Sequence, residues 1–239
     1  MNINNQIRIS AKNLGQLALP NYCPRCFYLK LKLHFKLPYQ IFPGIFSSID
    51  SYSKKITWGY YEKYKKLPPW FNKLGNFSKP IKAPGRNQFN YIDQETNIKL
   101  TGVVDDIFLT PDNEYFIVDY KTAKFTPAQD SLLPLYKAQL NSYALIAQNI
   151  GLRVAELGLC YYEPITEINE NNIESALLED GFRMPFSAHL LEVELDPVGV
   201  VNPLLRVVRE LWEMKEAPSS AEGCGDCKKL EELVEKVGV

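Results

Sequence analysis

The stretch TGVVDDIFLTPDNEYFIVDYKT, Thr101 to Thr122, carries the decision about the fold. Leu100 to Thr110 reads as one β-strand and Tyr115 to Tyr120 as a second, with the turn signal Pro111-Asp112-Asn113-Glu114 between them. In a strand, successive side chains point to opposite faces, so Asp119 and Lys121 share a face while Asp105 and Asp106 are divided between two. The hairpin loop decides which aspartate joins Asp119. A three-residue loop at Pro111 to Asn113 sets Thr110 opposite Glu114, and opposed positions then sum to ~224, which brings Asp105 beside Asp119. A two-residue loop would present Asp106 instead.

Two carboxylates and a lysine on one face suit a hard divalent cation. Mg²⁺ or Mn²⁺ takes carboxylate oxygens and water and leaves positions for a phosphate. Such an ion acidifies a bound water and neutralises charge on a scissile phosphate, and a nearby lysine can position that water or stabilise the developing charge. The bland alternative is a solvated Asp–Lys pair on a surface hairpin. Against it, Val103-Val104 and Ile117-Val118 are apolar on both faces, which points to a buried strand pair where unpaired charges are costly. The next segment, YKAQLNSYALIAQ, falls within a predicted helix from Pro134 to Ile150, and places Gln139 and Tyr143 on one helical face.

Taken in order, these motifs resemble the PD-(D/E)XK nuclease superfamily and its RecB-like branch. GVVDD (Gly102 to Asp106) is similar to the family's Gly-x-x-Asp element, VDYKT (Val118 to Thr122) to its Asp-x-Lys element, and QLNSY (Gln139 to Tyr143) to its Gln-x-x-x-Tyr element. The resemblance implies that Asp105 and Asp119 bind the metal together with the backbone carbonyl of Tyr120. It makes Lys121 the catalytic lysine and places Gln139 and Tyr143 at the site against the DNA backbone. The branch also carries a His or Glu on an early helix. Here the corresponding segment, PGIFSSIDSYSKK, has neither, and Asp50 is the stand-in.

Two CxxC pairs, Cys23/Cys26 and Cys224/Cys227, lie about 200 residues apart. In a reducing compartment such pairs argue for a metal rather than disulfides, and four thiolates hold Zn²⁺ or an iron–sulfur cluster. Tetrahedral geometry favours zinc. The resemblance favours [4Fe-4S], which several RecB-like nucleases, the CRISPR-associated ones included, build from cysteines at both termini. Cys160, in a predicted strand at about Leu157 to Tyr162, reads as a core residue. His34 and His189 have no partner in sequence and read as structural.

Charge is divided along the chain. Up to residue 92 there are 15 Lys/Arg and two acids, Asp50 and Glu62; beyond it, 12 Lys/Arg face 26 acids. Tyr52, Trp58, Tyr60, Tyr61, Tyr64, Trp70 and Phe71 are interleaved with the lysines of the basic half. Cations neutralise phosphates and aromatic faces stack on unpaired bases, so the pattern predicts a polyanion partner. Residues 45–66 read as an amphipathic helix with Phe46, Ile49, Tyr52 and Ile56 on its apolar face. The Pro/Gly-rich 67–90 reads as a loop, and Pro38 and Pro43-Gly44 as breaks. A short helix capped by Ser10, a strand from His189 to Leu195, a helix from Val198 to Lys215 and a helix after Cys224 complete the elements.

The whole predicts one α/β domain over 1–239 with a restriction-endonuclease-like core at about 98–162. A central mixed β-sheet is flanked by helices, a basic helical region fills 1–97, and a helix and CxxC occupy 198–239 clipped to the N-terminal cysteines. No apolar run reaches membrane-spanning length and no signal peptide is evident, so the expectation is a cytoplasmic protein with no membrane partner. The function expected is hydrolysis of DNA, with single strands and free ends as candidate forms. The rival expectations are an inactive DNA-binding protein of the same fold and a zinc-ribbon-like interaction module.

Overall fold

The computed structural model describes residues 6–36, 43–74, 77–126 and 130–238. The predicted break at Pro38 lies outside them, and the one at Pro43-Gly44 falls where a helix begins. The helices are α1 (Ala11–Gly15), α2 (Pro24–Lys32), α3 (Gly44–Tyr64), α4 (Leu133–Asn149), α5 (Ile173–Ala176), α6 (Pro197–Glu213) and α7 (Gly225–Val237). The strands are β1 (Ile7–Ser10), β2 (Lys79–Ile81), β3 (Asn90–Asp93), β4 (Ile98–Thr101), β5 (Asp106–Leu109), β6 (Tyr115–Lys121), β7 (Val154–Pro164), β8 (Leu177–Leu178), β9 (Gly181–Phe182) and β10 (Phe186–Val193).

Among the described residues the main sheet runs β10-β7-β6-β5-β2, with β6 and β7 parallel and the remaining pairs antiparallel. The protein is therefore a mixed α/β fold with a central mixed sheet flanked by helices. A parallel pair cannot be joined by a tight turn, and α4 supplies the crossover between β6 and β7. A smaller sheet, β1-β4-β3, stands beside it.

Every residue of α4 from Ala138 to Ala147 is buried, because one side meets the sheet and others meet α1 and α6. Its buried Asn141 and Ser142 find hydrogen-bond partners. Asn141 Nδ2 donates to the Glu194 carbonyl (3.0 Å), its Oδ1 accepts from the Asp196 amide (2.8 Å), and Ser142 Oγ donates to the Ala138 carbonyl (2.7 Å). Gly15 lets α1 approach: a Cβ there would stand 2.6 Å from the Leu135 carbonyl oxygen. The opposite face of the sheet holds a second, aromatic core of Phe71, Phe108, Phe116, Tyr120 and Tyr162.

The hairpin has the predicted register. Asp106 pairs with Val118 and Leu109 with Tyr115, while the Thr110 amide donates to the Glu114 carbonyl (2.9 Å), closing the three-residue loop. The single strand expected over Leu100 to Thr110 is instead two, β4 and β5, in different sheets. The chain breaks over 102–105, leaving Val103 52% exposed rather than buried. Gly102 permits this turn-out under α4, since a Cβ there would lie 2.8 Å from the Tyr143 ring. Within the 67–90 loop, β2 adds an edge strand that tolerates Pro80.

A larger correction concerns α3. The expected core stripe is exposed, Phe46 at 44%, Tyr52 at 64% and Ile56 at 39%, whereas Ser53 and Thr57 are buried. The reason is tertiary. Thr57 Oγ1 lies 3.3 Å from Tyr120 Oη, so the helix docks on the sheet through a polar contact. Among the described residues no helix is long and apolar enough to cross a membrane.

Candidate active site

Strand periodicity puts Ile117, Asp119 and Lys121 on the α4 side of β6. Asp119 is 3% exposed. Its Oδ1 accepts from Gln139 Nε2 (2.9 Å), and its Oδ2 lies 2.5 Å from Lys121 Nζ without accepting a directed hydrogen bond. Gln139 Nε2 also donates to Tyr143 Oη (2.7 Å), and Gln139 Oε1 accepts from Lys121 Nζ (3.3 Å). The four residues thus form one network, set by the i, i+4 spacing on α4 and the i, i+2 spacing on β6. Lys121 Nζ further stands 4.1 Å from the centre of the Tyr136 ring. Burial pushes the Asp119 carboxyl and the Tyr143 phenol upward, the first against the pull of the Lys121 ammonium.

Asp105 sits just before β5, where the break delivers it to the same face. Its Oδ2 accepts from the Tyr120 amide (2.8 Å) and its Oδ1 lies 2.7 Å from Lys54 Nζ. Asp106 is on the other face, where Oδ1 accepts from Trp58 Nε1 (2.7 Å) and Oδ2 from Tyr120 Oη (2.5 Å). Burial raises its carboxyl to about 6. Asp50 faces the same cavity as Asp105 and Asp119, and its Oδ2 lies 2.9 Å from Lys54 Nζ.

Lys54, which the sequence reading did not single out, therefore bridges the two outer carboxylates. Its i, i+4 pairing with Asp50 was readable from helix spacing; its reach to Asp105 was not. The cavity has a volume of about 1150 Å³. Its floor carries Asp50, Asp105 and Asp119, and Arg8, Lys12, Lys36 and Arg86 from the basic half also line it. An acidic floor beneath cationic walls can hold a divalent cation and the phosphate it acts on.

The donor set fits such a cation. Among the described residues Asp119 Oδ2 is met by the Lys121 ammonium and Asp105 Oδ1 by the Lys54 ammonium, so each carboxylate presents a cation with an oxygen held by charge rather than by a neutral donor. A family model matches residues 62–229. The chain belongs to the PD-(D/E)XK nuclease superfamily. The superfamily match takes in Asp105, Asp119, Lys121, Gln139 and Tyr143 but begins after Asp50 and Lys54. Membership implies a nuclease with nucleic acid as its substrate class. No curated protein matches the chain. The structure described as the crystal structure of SSO0001 is similar at 14% identity, over 88% of this chain and 78% of that one, with a TM-score of 0.38.

Away from the PD-(D/E)XK cleft, the four cysteines come together. Cys23 and Cys26 open α2, and Cys224 and Cys227 open α7. Their sulfurs all lie within 4.8 Å of one another, with Cys26–Cys227 at 3.4 Å and Cys23–Cys227 at 3.6 Å. The Ala221 amide donates to Cys23 Sγ (3.3 Å), and Arg25–Glu231 (2.6 Å) adds an ion pair between the same two helices. Cys160 is fully buried in the aromatic core. His189 stacks on Phe125, with ring centres 4.7 Å apart, and His34 packs near Trp212.

Proposed function

We propose that this chain is a Mg²⁺- or Mn²⁺-dependent deoxyribonuclease of the RecB-like type, working as one unit over 1–239. The observation that carries the reading is the convergence of Asp105, Asp119 and Lys121 on one floor of a cation-walled cavity. In this reading Asp105, Asp119 and the Tyr120 carbonyl hold the ion, with Asp50 as the outer carboxylate. The bound cation acidifies water and neutralises phosphate charge. Lys121 orients the attacking water and stabilises the charge developing on the phosphate, and Gln139 fixes the Lys121 ammonium and the Asp119 carboxylate relative to each other. Tyr143 supports Gln139 from below, and Arg8, Lys12 and Arg86 draw the strand in.

The test is cleavage of a labelled DNA by Asp119→Ala and Lys121→Ala variants with unchanged melting profiles. Loss of Lys121 is expected to cost about 10²–10⁴-fold in rate. Cleavage at the parental rate by both variants would remove the proposed site.

A second reading is favoured by one contact. Lys54 already neutralises Asp50 and Asp105, so the fold could bind DNA without cutting it. Salt-dependent binding with no cleavage under Mg²⁺ or Mn²⁺ would establish that reading.

For the cysteines, the spacing supports a single tetrahedral ion. Thiolates at about 2.3 Å from one Zn²⁺ lie about 3.8 Å apart, between the three shortest separations of 3.4–3.6 Å and the 4.8 Å within which all four sulfurs fall. A four-iron cube holds each thiolate on a different iron and spreads them further. Metal content with an absorption spectrum separates the two: zinc without a visible band supports the single ion, and a broad visible band with iron overturns it.

A further inference from the structure

Lys121 ends β6, and its four-carbon stem has little stiffness of its own. Two polar contacts hold its ammonium, Asp119 Oδ2 at 2.5 Å and Gln139 Oε1 at 3.3 Å. The first is also an oxygen that the nuclease reading gives to a divalent cation. A cation on Asp119 takes that charge away from the ammonium and leaves Gln139 as its single polar tether among the described residues. A reacting group on one long tether is poorly oriented, and orientation is a large part of what such a group contributes.

The third neighbour is different in kind. Tyr136, in the first turn of α4, sets the centre of its ring 4.1 Å from Lys121 Nζ. It precedes Gln139 by three positions, so both reach the ammonium from one side of the helix. An aromatic face attracts an ammonium through its quadrupole, and it is no ligand for a hard cation. The Tyr136 hydroxyl makes no hydrogen bond among the described residues, so the ring is the part that engages Lys121. Burial pushes the phenol up to about 12, so at neutral pH it is neither acid nor base.

The ring is itself held by the sheet. Asp130 Oδ1 accepts from the Leu132 amide (2.8 Å) and the Asp130 carbonyl from the Leu133 amide (3.1 Å), which fixes the start of α4. Asp130 Oδ2 accepts from Tyr161 Oη (2.8 Å), and Tyr161 is the β7 residue paired with Lys121 across the parallel ladder. Ring and ammonium therefore hang from one rung of the sheet. One does so through its own strand, the other through Tyr161, Asp130 and the first turn of α4.

We propose that Tyr136 is a positioning residue for Lys121, its ring face being the seat that keeps the ammonium at the cleft when a cation takes Asp119 Oδ2. The inference rests on the nuclease reading and deepens it.

The experiment uses the full chain with carbon-13 at lysine Cε, and Lys121→Ala identifies the Lys121 signal. Protons above a ring face resonate upfield. The Lys121 Hε protons are expected upfield of those of the other lysines, and to stay there when Mg²⁺ is added. Tyr136→Phe should keep the shift and Tyr136→Leu should lose it. In single-turnover cleavage of a labelled DNA, Tyr136→Leu is expected to lower the rate at saturating strand about 3- to 30-fold, with affinity for the strand within about two-fold of the parent. Tyr136→Phe should rescue that rate.

An ordinary Lys121 Hε position in the Mg²⁺-loaded parent overturns the seat, whatever the variants do. Three rate results also overturn it: no loss in Tyr136→Leu, equal losses in Tyr136→Leu and Tyr136→Phe, or a fall in strand affinity that accounts for the slower rate. The last would make the ring a contact to the strand itself. In each case cleavage by the parent leaves the nuclease reading standing. A parent that cuts no DNA with Mg²⁺ or Mn²⁺ removes that reading, and the role of Tyr136 with it.

Discussion

Asp105 and Asp106 are adjacent in sequence and live on opposite faces of one sheet. Asp106 is sealed: two neutral donors, Trp58 Nε1 and Tyr120 Oη, satisfy both of its oxygens inside the aromatic core. Asp105 faces an open cavity, and one of its oxygens has only the half-buried ammonium of Lys54. A carboxylate completed by its own fold is part of the architecture. One left with a displaceable cation is available for chemistry. The same contrast separates Asp119, whose Oδ2 accepts no directed hydrogen bond, from the fully partnered Asn141 of α4.

The largest effect should separate the two aspartates in cleavage. Asp105→Asn is expected to lower metal-dependent cleavage at least about 100-fold, while Asp106→Asn stays within a few-fold. Equal losses in a gel-based rate assay would erase the distinction. Stability should order them the other way. Asp106→Ala strands two buried donors and is expected to cost about 2–4 kcal/mol in denaturant unfolding, with Asp105→Ala, which strands only the Tyr120 amide, costing about 1–2 kcal/mol.

A pH series sharpens this further. The folded carboxyl of Asp106 lies at about 6, above the ordinary carboxylate range, because burial disfavours its charge. Its folded state holds the proton more tightly, so its contribution to stability is full at low pH and is lost as pH rises from about 4 through about 6. Asp106→Asn cannot ionise, so unfolding curves should show it gaining on the parent across that window. A constant difference would put the ordinary value back on Asp106. Smallest is the effect of Lys54→Met, which removes the competing ammonium. Calorimetry should find Mn²⁺ bound about five-fold more tightly, and weaker binding would make Lys54 a support of the site rather than its rival.

Much of this arrangement was readable from local rules. The two-residue period of β6 placed Asp119 with Lys121, the Thr110–Glu114 loop closure chose Asp105 over Asp106, and the helical period of α4 joined Gln139 to Tyr143. What was not readable depends on contacts between distant segments. The apolar stripe of α3 was read as core because periodicity reports which side differs, not which side the rest of the chain covers. Tyr120 and Asp106 draw Thr57 and Trp58 inward, and the apolar residues are left outside. Likewise β1 and β2 are three or four residues long and exist only because β4 and β5 give them an edge. Lys54 needed the sheet and helix in place before its second carboxylate could be seen.

The cysteine pairs have a consequence in time as well as in space. Synthesis runs from the N-terminus, and Cys224 and Cys227 emerge after every strand of both larger sheets has been made. The clip therefore ties the first helices to the last segment made, and holds the two ends of the chain together across the core as a latch holds a box.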